Sequence, residues 1–223
     1  MFSIVSIDIG LRTLSLYKEY FNTAQAKLVP FPKACYDKMG EAKPEMKQYV
    51  ERIGSYGVTS FIVKKDLGEK RDYFSGKAIQ NLFDFMDELE SQTLFDDVQE
   101  IIIERQMKKN NIASALMYYI QSWFLIKYGP FKKVILYPSK QKTRILGAPL
   151  KVENEQGKAE RVNKYFRKKW STLRAYDILT KRKETDIIDY IFVQHKDKKD
   201  DLCDVITQCL SYHILRLKKY HAK

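Results

Sequence analysis

The sequence predicts an α/β protein with a mixed central sheet flanked by helices. Three observations carry that expectation. The elements run in the order three strands, helix, strand, helix, strand, then helices. The first three strands are joined by short connections, as in an antiparallel meander. The run Ile101-Ile102-Ile103 is apolar on both faces of its strand, which suits a sheet covered on both sides.

Each element has its own signal. Phe2 to Ile9 is short, β-branched and ended by Gly10, and so reads as a buried strand. Thr13 to Tyr17 and Ala26 to Phe31 read as the next two strands. Residues 36–75 are mixed and turn-rich, and no order is assigned to them. From Ser75 to Glu90, Ile79, Leu82, Phe83, Met86 and Leu89 form a helical stripe, with Ser75 as its cap. Val98 to Glu104 is a strand, Asn111 to Tyr128 a long apolar helix, and Val134 to Tyr137 a further strand. A basic, turn-containing stretch covers Pro138 to Gly157, followed by a helix from Lys158 to Lys169. Asp200 to Leu217 closes the chain as an amphipathic helix. No repeat, low-complexity tract or Pro/Gly/Ser-rich linker interrupts the 223 residues, which reads as one domain over 1–223.

Composition excludes several classes. With 44% apolar and 30% charged residues the chain can bury a core, unlike a disordered or collagenous sequence. Nine glycines are few for an enzyme built on repeated phosphate loops. Cys35, Cys203 and Cys209 are an odd number without CxxC spacing, so neither a disulfide framework nor a zinc site is indicated, and a reducing intracellular compartment is expected. The first residues read as a strand rather than a signal peptide. No run of about 18 apolar residues predicts a membrane span.

Charge is more informative. The net +12 resides entirely in residues 132–183, which hold 16 basic and 4 acidic side chains; the rest of the chain is neutral. Tyr165, Phe166, Trp170 and Tyr176 interleave with Lys164, Arg167, Lys168, Lys169 and Arg174. Such a concentrated field attracts a polyanion, and aromatic faces among the bases suit nucleic acid. A solvated lysine-rich helix face with its aromatics turned inward is the plain alternative. The candidate DNA-binding residues are Lys140, Lys142, Arg144, Lys158, Arg161, Lys164, Arg167, Lys168 and Lys169.

Acids stand at the ends of three separate elements. Asp8 lies in an apolar strand just before a turn, where a charge is costly without a metal, a base or nearby backbone N–H groups as partner. Glu104 ends the isoleucine run; an ion pair with Arg105 is its simpler explanation. Asp201 and Asp204, three apart, project about 60° from each other on one side of the last helix. They flank its stripe of Leu202, Val205, Ile206, Cys209, Leu210 and Leu217. A first-turn acid can also serve the helix dipole, with Asp200 as cap. Taken together, the four carboxylates fit two divalent ions about 4 Å apart that clamp the oxygens of a phosphodiester during hydrolysis. Oxygen-only ligands select Mg²⁺ or Mn²⁺.

Ser6-Ile7-Asp8-Ile9-Gly10, Ile102-Ile103-Glu104-Arg105-Gln106 and Asp200-Asp201-Leu202-Cys203-Asp204 resemble, in order, the three acidic motifs of Holliday-junction resolvases. These are the RuvC-like group of the RNase H-like (retroviral integrase) superfamily, and the forms here are most similar to those of poxviruses and related large DNA viruses, with mitochondrial resolvases as cousins. The resemblance implies an RNase H-like fold with a five-stranded sheet. It implies an endonuclease acting on four-way DNA junctions, two Mg²⁺ ions per site held by Asp8, Glu104, Asp201 and Asp204, and a homodimer. A viral member would work in the cytoplasm and a cellular cousin in mitochondria. The family also places a lysine near the metals. Lys142 resembles the bacterial one and Lys158 the viral one, and either can equally be a phosphate-binding lysine. The helix 111–128 is the candidate dimer face, with Ile112, Ala115, Leu116, Tyr119, Ile120, Trp123, Phe124 and Ile126 covering more than one side. Burial of that helix within its own domain is the alternative.

Competing readings remain open at this point. An actin-like ATPase or kinase shares Asp8-Ile9-Gly10 with Thr13 nearby, but its second phosphate loop and glycine-rich adenosine motif are missing. A non-catalytic nucleic-acid-binding module would use the acids as caps and ion pairs. Another RNase H-like nuclease, of the RNase H or transposase type, shares the acid arrangement.

Overall fold

The computed structural model describes residues 1–107, 110–153, 156 and 158–222. Strand β1 (Phe2–Ile9) turns back through Gly10 into β2 (Thr13–Phe21). Helices α1 (Thr23–Lys27) and α2 (Pro44–Gly54) precede β3 (Gly57–Asp66). Then come α3 (Lys70–Phe74), α4 (Lys77–Ser91), β4 (Glu100–Arg105), α5 (Asn111–Tyr128), β5 (Lys133–Pro138) and α6 (Ser139–Leu146). A small hairpin of β6 (Lys151–Glu153) and β7 (Ala159–Arg161) leads to α7 (Lys164–Arg182), α8 (Thr185–Asp189) and α9 (Lys199–His221).

The main sheet has the order β3-β2-β1-β4-β5. Strands β1, β2 and β3 pair antiparallel, while β4 and β5 run parallel to β1. That order and polarity define the RNase H-like fold. Period-two alternation divides the sheet residues between two cores. Val5, Ile7 and Ile9 meet Leu82, Met86, Leu116 and Ile120 of α4 and α5. Ile4, with Tyr17 and Ile102, meets Ile206 and Leu210 of α9 and Leu179 of α7. Asp8 shares the parity of Ile4, so its carboxylate belongs to the α9 side.

Helix α9 is buried almost all round from Leu202 to Ile214 rather than amphipathic, because the sheet, α2, α6 and α7 enclose it. It is the element that fixes the site. Shortening Leu210 to Ala costs about 2–5 kcal/mol.

Several expectations are corrected. Ala26–Phe31 is not a strand: the Asn22 side chain accepts from the Gln25 N–H at 3.1 Å and starts a helix whose Ala26 and following Val29 are buried. The third strand is β3, inside the turn-rich stretch 36–75. Helix α4 is entered through Gly76 in the left-handed conformation, while Ser75 ends α3. The helix expected over 158–169 starts at Lys164, where Asn163 accepts from the Phe166 N–H at 2.8 Å, and runs on to Arg182; β7 takes the residues before it. Gly157, the expected end of the turn-containing stretch, lies outside the described residues.

Beneath α9 sits a buried polar network. Glu19 accepts from Arg182 Nη1 at 3.0 Å and from the Tyr17 hydroxyl at 2.7 Å, and its other oxygen lies 2.8 Å from His213 Nε2. Burial alone would push Glu19 up, but Arg182 and His213 outweigh it and hold the carboxyl at about 2. A side chain at Gly57 would collide with the Arg182 guanidinium. Glu19, Cys209 and His213 bring ligand-type atoms within 4.8 Å of one another. Arg182 already balances the Glu19 charge, which makes this a structural ion pair.

Candidate active site

A cleft of about 630 Å³ opens at the ends of β1 and β4 that precede Gly10 and Gln106. Asp8, Ser15, Asp66, Glu104, Lys142, Asp200, Asp201 and Asp204 line it, with Arg12, Lys164, Lys168 and Lys198 among them. β1 and β4 are in parallel register through Ile7 and Ile103, which sets Asp8 beside Glu104 at the next position. The two strand-end acids meet there, as the sequence predicts.

Lys142, from α6, closes the group. Its Nζ donates to Glu104 Oε2 at 3.0 Å and lies 2.7 Å from Asp204 Oδ2. Burial would lower its pKa, yet Asp204, Glu104 and Asp8 raise it well above the usual range and keep it charged. Asp8 shifts upward, first because it is desolvated and then because Glu104 stands against it. Gln106 Nε2 donates to Asp8 Oδ1 at 3.3 Å, and the Ser171 hydroxyl donates to Asp204 Oδ1 at 2.8 Å. Glu104 pairs with Lys142, and Arg105 is exposed.

The acids at the start of α9 do not act as caps. The N-cap is Lys198, with no side-chain capping bond. Asp201 bonds Lys64 of β3, and Asp200 bonds Lys168 of α7, whose charge holds Asp200 below its ordinary value against the opposing effect of burial. Asp201 therefore sits on the β3 side of the cleft, and Asp204 on the Glu104 side.

The candidate bases divide. Lys140, Lys142, Lys164, Arg167 and Lys168 line a second hollow of about 300 Å³ that shares Glu104 and Asp204 with the first. Arg144 faces a different hollow beside Tyr36 and Lys218. Lys158 and Arg161 lie exposed on the small hairpin, and Lys169 is exposed; none of the three lines either cleft. Of the two candidate lysines, the structure brings only Lys142 to the acids. Tyr165 projects into solvent, whereas Trp170 packs on the α9 core. On α5, Leu116 and Trp123 are buried, with the Trp123 indole donating to Asp87 at 2.9 Å, so neither can be an interface residue. Tyr118, Leu125 and Ile126 are exposed.

Sequence reasoning missed Lys64, Ser15 and Ser171, and placed Gln106 within the second motif without giving it a role. Lys64 carries a readable signal, a lysine at an inward-facing position of a β-branched run, but turn-rich flanks mask that run as a strand.

The cleft offers only carboxylate oxygens as anionic donors; no thiol or imidazole lines it among the described residues. That donor set fits a hard divalent cation, and the Lys142 ammonium already marks a cationic position between Glu104 and Asp204.

No family model matches the chain. It is 32% identical over 154 residues to the uncharacterized protein 170L of Invertebrate iridescent virus 6, covering 64% of this chain and 61% of that protein. It is 34% identical over 131 residues to the uncharacterized protein 97L of Invertebrate iridescent virus 3, covering 59% and 55%. The chain thus spans about six-tenths of the length of the curated relatives it matches. Among solved structures it is similar to T. thermophilus RuvC in complex with a Holliday junction substrate, at 9% identity and TM-score 0.48 over 96% of this chain and 94% of that one. It is also similar to Fowlpox virus resolvase with substrate Holliday junction DNA, at 16% identity and TM-score 0.42 over 98% of each. No described helix is long and apolar enough to cross a membrane.

Proposed function

We propose that this chain is a viral, divalent-metal-dependent endodeoxyribonuclease that resolves four-way DNA junctions by paired phosphodiester hydrolysis. One observation carries the reading: acids from three separate elements, Asp8, Glu104 and Asp204, converge around a single buried ammonium in a cleft walled by bases. Acids crowded at this density are too costly to keep as scaffolding. The resemblance of the ordered motif set to that of Holliday-junction resolvases implies branched DNA as the substrate. Asp8, Glu104, Asp201 and Asp204 would hold Mg²⁺, with Mn²⁺ substituting. Two such ions, when bound, would supply Lewis-acid stabilisation of the charge that develops on the phosphodiester oxygens.

The chain's own groups do the rest. Gln106 and Ser171 orient Asp8 and Asp204. Lys142 lines both hollows and brings positive charge to the phosphate at the acids. Lys140, Lys164 and Arg167 continue a cationic track for the backbone beyond it. A two-fold dimer would present two such sites to a junction of approximate two-fold symmetry.

The test is digestion of a four-way junction, a matched duplex and an RNA–DNA hybrid side by side with Mg²⁺. Symmetric paired nicks in the junction are expected, with the duplex left intact. Preferential cutting of the hybrid would instead establish another RNase H-like nuclease.

A further inference from the structure

The residue that seats Asp201 lies outside the three acidic motifs. Across the sheet, Asp8 pairs with Ser15 and Ser15 with Lys64, so the three form one row at the mouth of the cleft. Neighbouring strands in such a row are about 4.8 Å apart. The Lys64 side chain is 5% exposed, and its ammonium bonds Asp201 and the Lys198 carbonyl. Between them the Ser15 hydroxyl is buried, lines the cleft and has no hydrogen-bond partner among the described residues. A buried hydroxyl without a partner is costly, so the Ser15 hydroxyl is open to a polar group that enters the cleft.

We propose that Lys64 is a positioning residue for Asp201, which it holds at the β3 side of the cleft, and that its ammonium competes with a divalent cation for that carboxylate. Lys142 stands between Glu104 and Asp204 in the same manner, so the chain supplies an internal cation to each half of the acid set. To hold an ion together with Asp8, Asp201 would have to leave Lys64, and Ser15 stands between Asp8 and Lys64 in the row. The turnover part of the proposal rests on the nuclease reading; the metal-binding part does not.

The experiment uses the full chain with Lys64→Met, Lys64→Arg and Asp201→Asn, alone and combined. Mn²⁺ binding is measured by calorimetry without DNA, junction cleavage at saturating Mn²⁺, and folding by thermal melting. For Lys64→Met, Mn²⁺ is expected to bind several-fold tighter, because no fixed ammonium competes for Asp201. Turnover is expected to fall about tenfold at unchanged DNA affinity, because the carboxylate has lost its anchor. Lys64→Arg restores both values toward wild type. In an Asp201→Asn background, Lys64→Met changes neither. Damage to the fold would lower both quantities, so their opposite signs separate positioning from mere stability. Unchanged Mn²⁺ affinity in a folded Lys64→Met protein, or effects additive with those of Asp201→Asn, overturns the proposal. A wild type that binds Mn²⁺ but cuts no branched DNA refutes the nuclease reading, and the Mn²⁺ comparison still decides the role of Lys64. A wild type that binds no Mn²⁺ overturns both.

Discussion

The Lys142 ammonium lies 2.7 Å from the Asp204 carboxylate, in a cleft where both side chains are largely shielded from water. An ammonium in that setting stays charged only because Asp204, Glu104 and Asp8 surround it. The pairing has two separable consequences, one for chemistry and one for stability.

Asp8→Asn, Glu104→Gln and Asp204→Asn are each expected to lower metal-dependent junction cleavage by about a hundred- to a thousandfold while leaving junction binding close to wild type. Gel shift and cleavage assays on the same preparations check this. Retained cleavage in any variant removes that residue from the site. Asp8→Asn is also expected to raise the melting temperature of the metal-free protein, because it removes one of the like charges crowding Glu104. Lys142→Met behaves in the opposite way. It strips Glu104 and Asp204 of their counterion and costs about 3–5 kcal/mol of metal-free stability, part of which added Mg²⁺ returns.

Much of this site is legible in the sequence, for definite reasons. Asp8 and Glu104 stand out because a carboxylate at the end of an apolar strand breaks the local pattern, and parallel pairing of those strands then brings them together. The i,i+3 spacing of Asp201 and Asp204 gives one helical side, but not which lysine each acid meets. The lysines that meet Asp201, Glu104 and Asp200 come from β3, α6 and α7, 137, 38 and 32 residues away, beyond the reach of any local period. The strand β3 is hard to see in the sequence because its burial alternates weakly along an edge of the sheet, whereas α5 is legible to the residue from its long apolar run, and Asn110 caps it in the structure.

Acid sensitivity traces to Glu19. Its folded value of about 2 lies below the ordinary carboxylate value, so its ion pair with Arg182 is fully present above about pH 4.5. The contribution is lost as the pH falls from there toward 2. Glu19→Gln is expected to lower stability at neutral pH by about 3–5 kcal/mol, since the buried Arg182 loses the carboxylate it bonds. Its unfolding free energy should then vary less between pH 5 and 2 than that of the wild type, in urea titrations. Parallel pH profiles for the two proteins would contradict the assignment.

The cationic track makes a prediction about salt. Lys140, Lys164 and Arg167 line the hollow that continues from the acids, and among the described residues none of them pairs with an acid there, unlike Lys168 with Asp200. Replacing the three with Ala should weaken DNA affinity and reduce the slope of log K against log salt by about 3, one for each phosphate that is no longer neutralised. Cleavage at saturating DNA should change far less than binding. An unaltered slope would make these residues an ordinary solvated face.

The proposed paired cutting makes the final demand, on α5. Leu116 and Trp123 are buried inside the domain, but Leu125 and Ile126 remain exposed, Ile126 at 83%, with Tyr118 exposed about two turns earlier on the same helix. Exposed apolar residues clustered on one element are a typical subunit contact. Leu125→Glu with Ile126→Lys is therefore expected to yield folded monomers by sedimentation, with stability changed by no more than about 0.5 kcal/mol, as at other exposed positions. Each monomer keeps Asp8, Glu104, Asp201 and Asp204 and should still bind Mn²⁺. On a supercoiled cruciform plasmid it should release nicked circles, where a wild-type dimer, as proposed, would release linear product from two cuts within one binding event. Linear product from a variant that remains monomeric on the junction would refute the two-fold arrangement, and a variant that stays dimeric would move the interface away from α5.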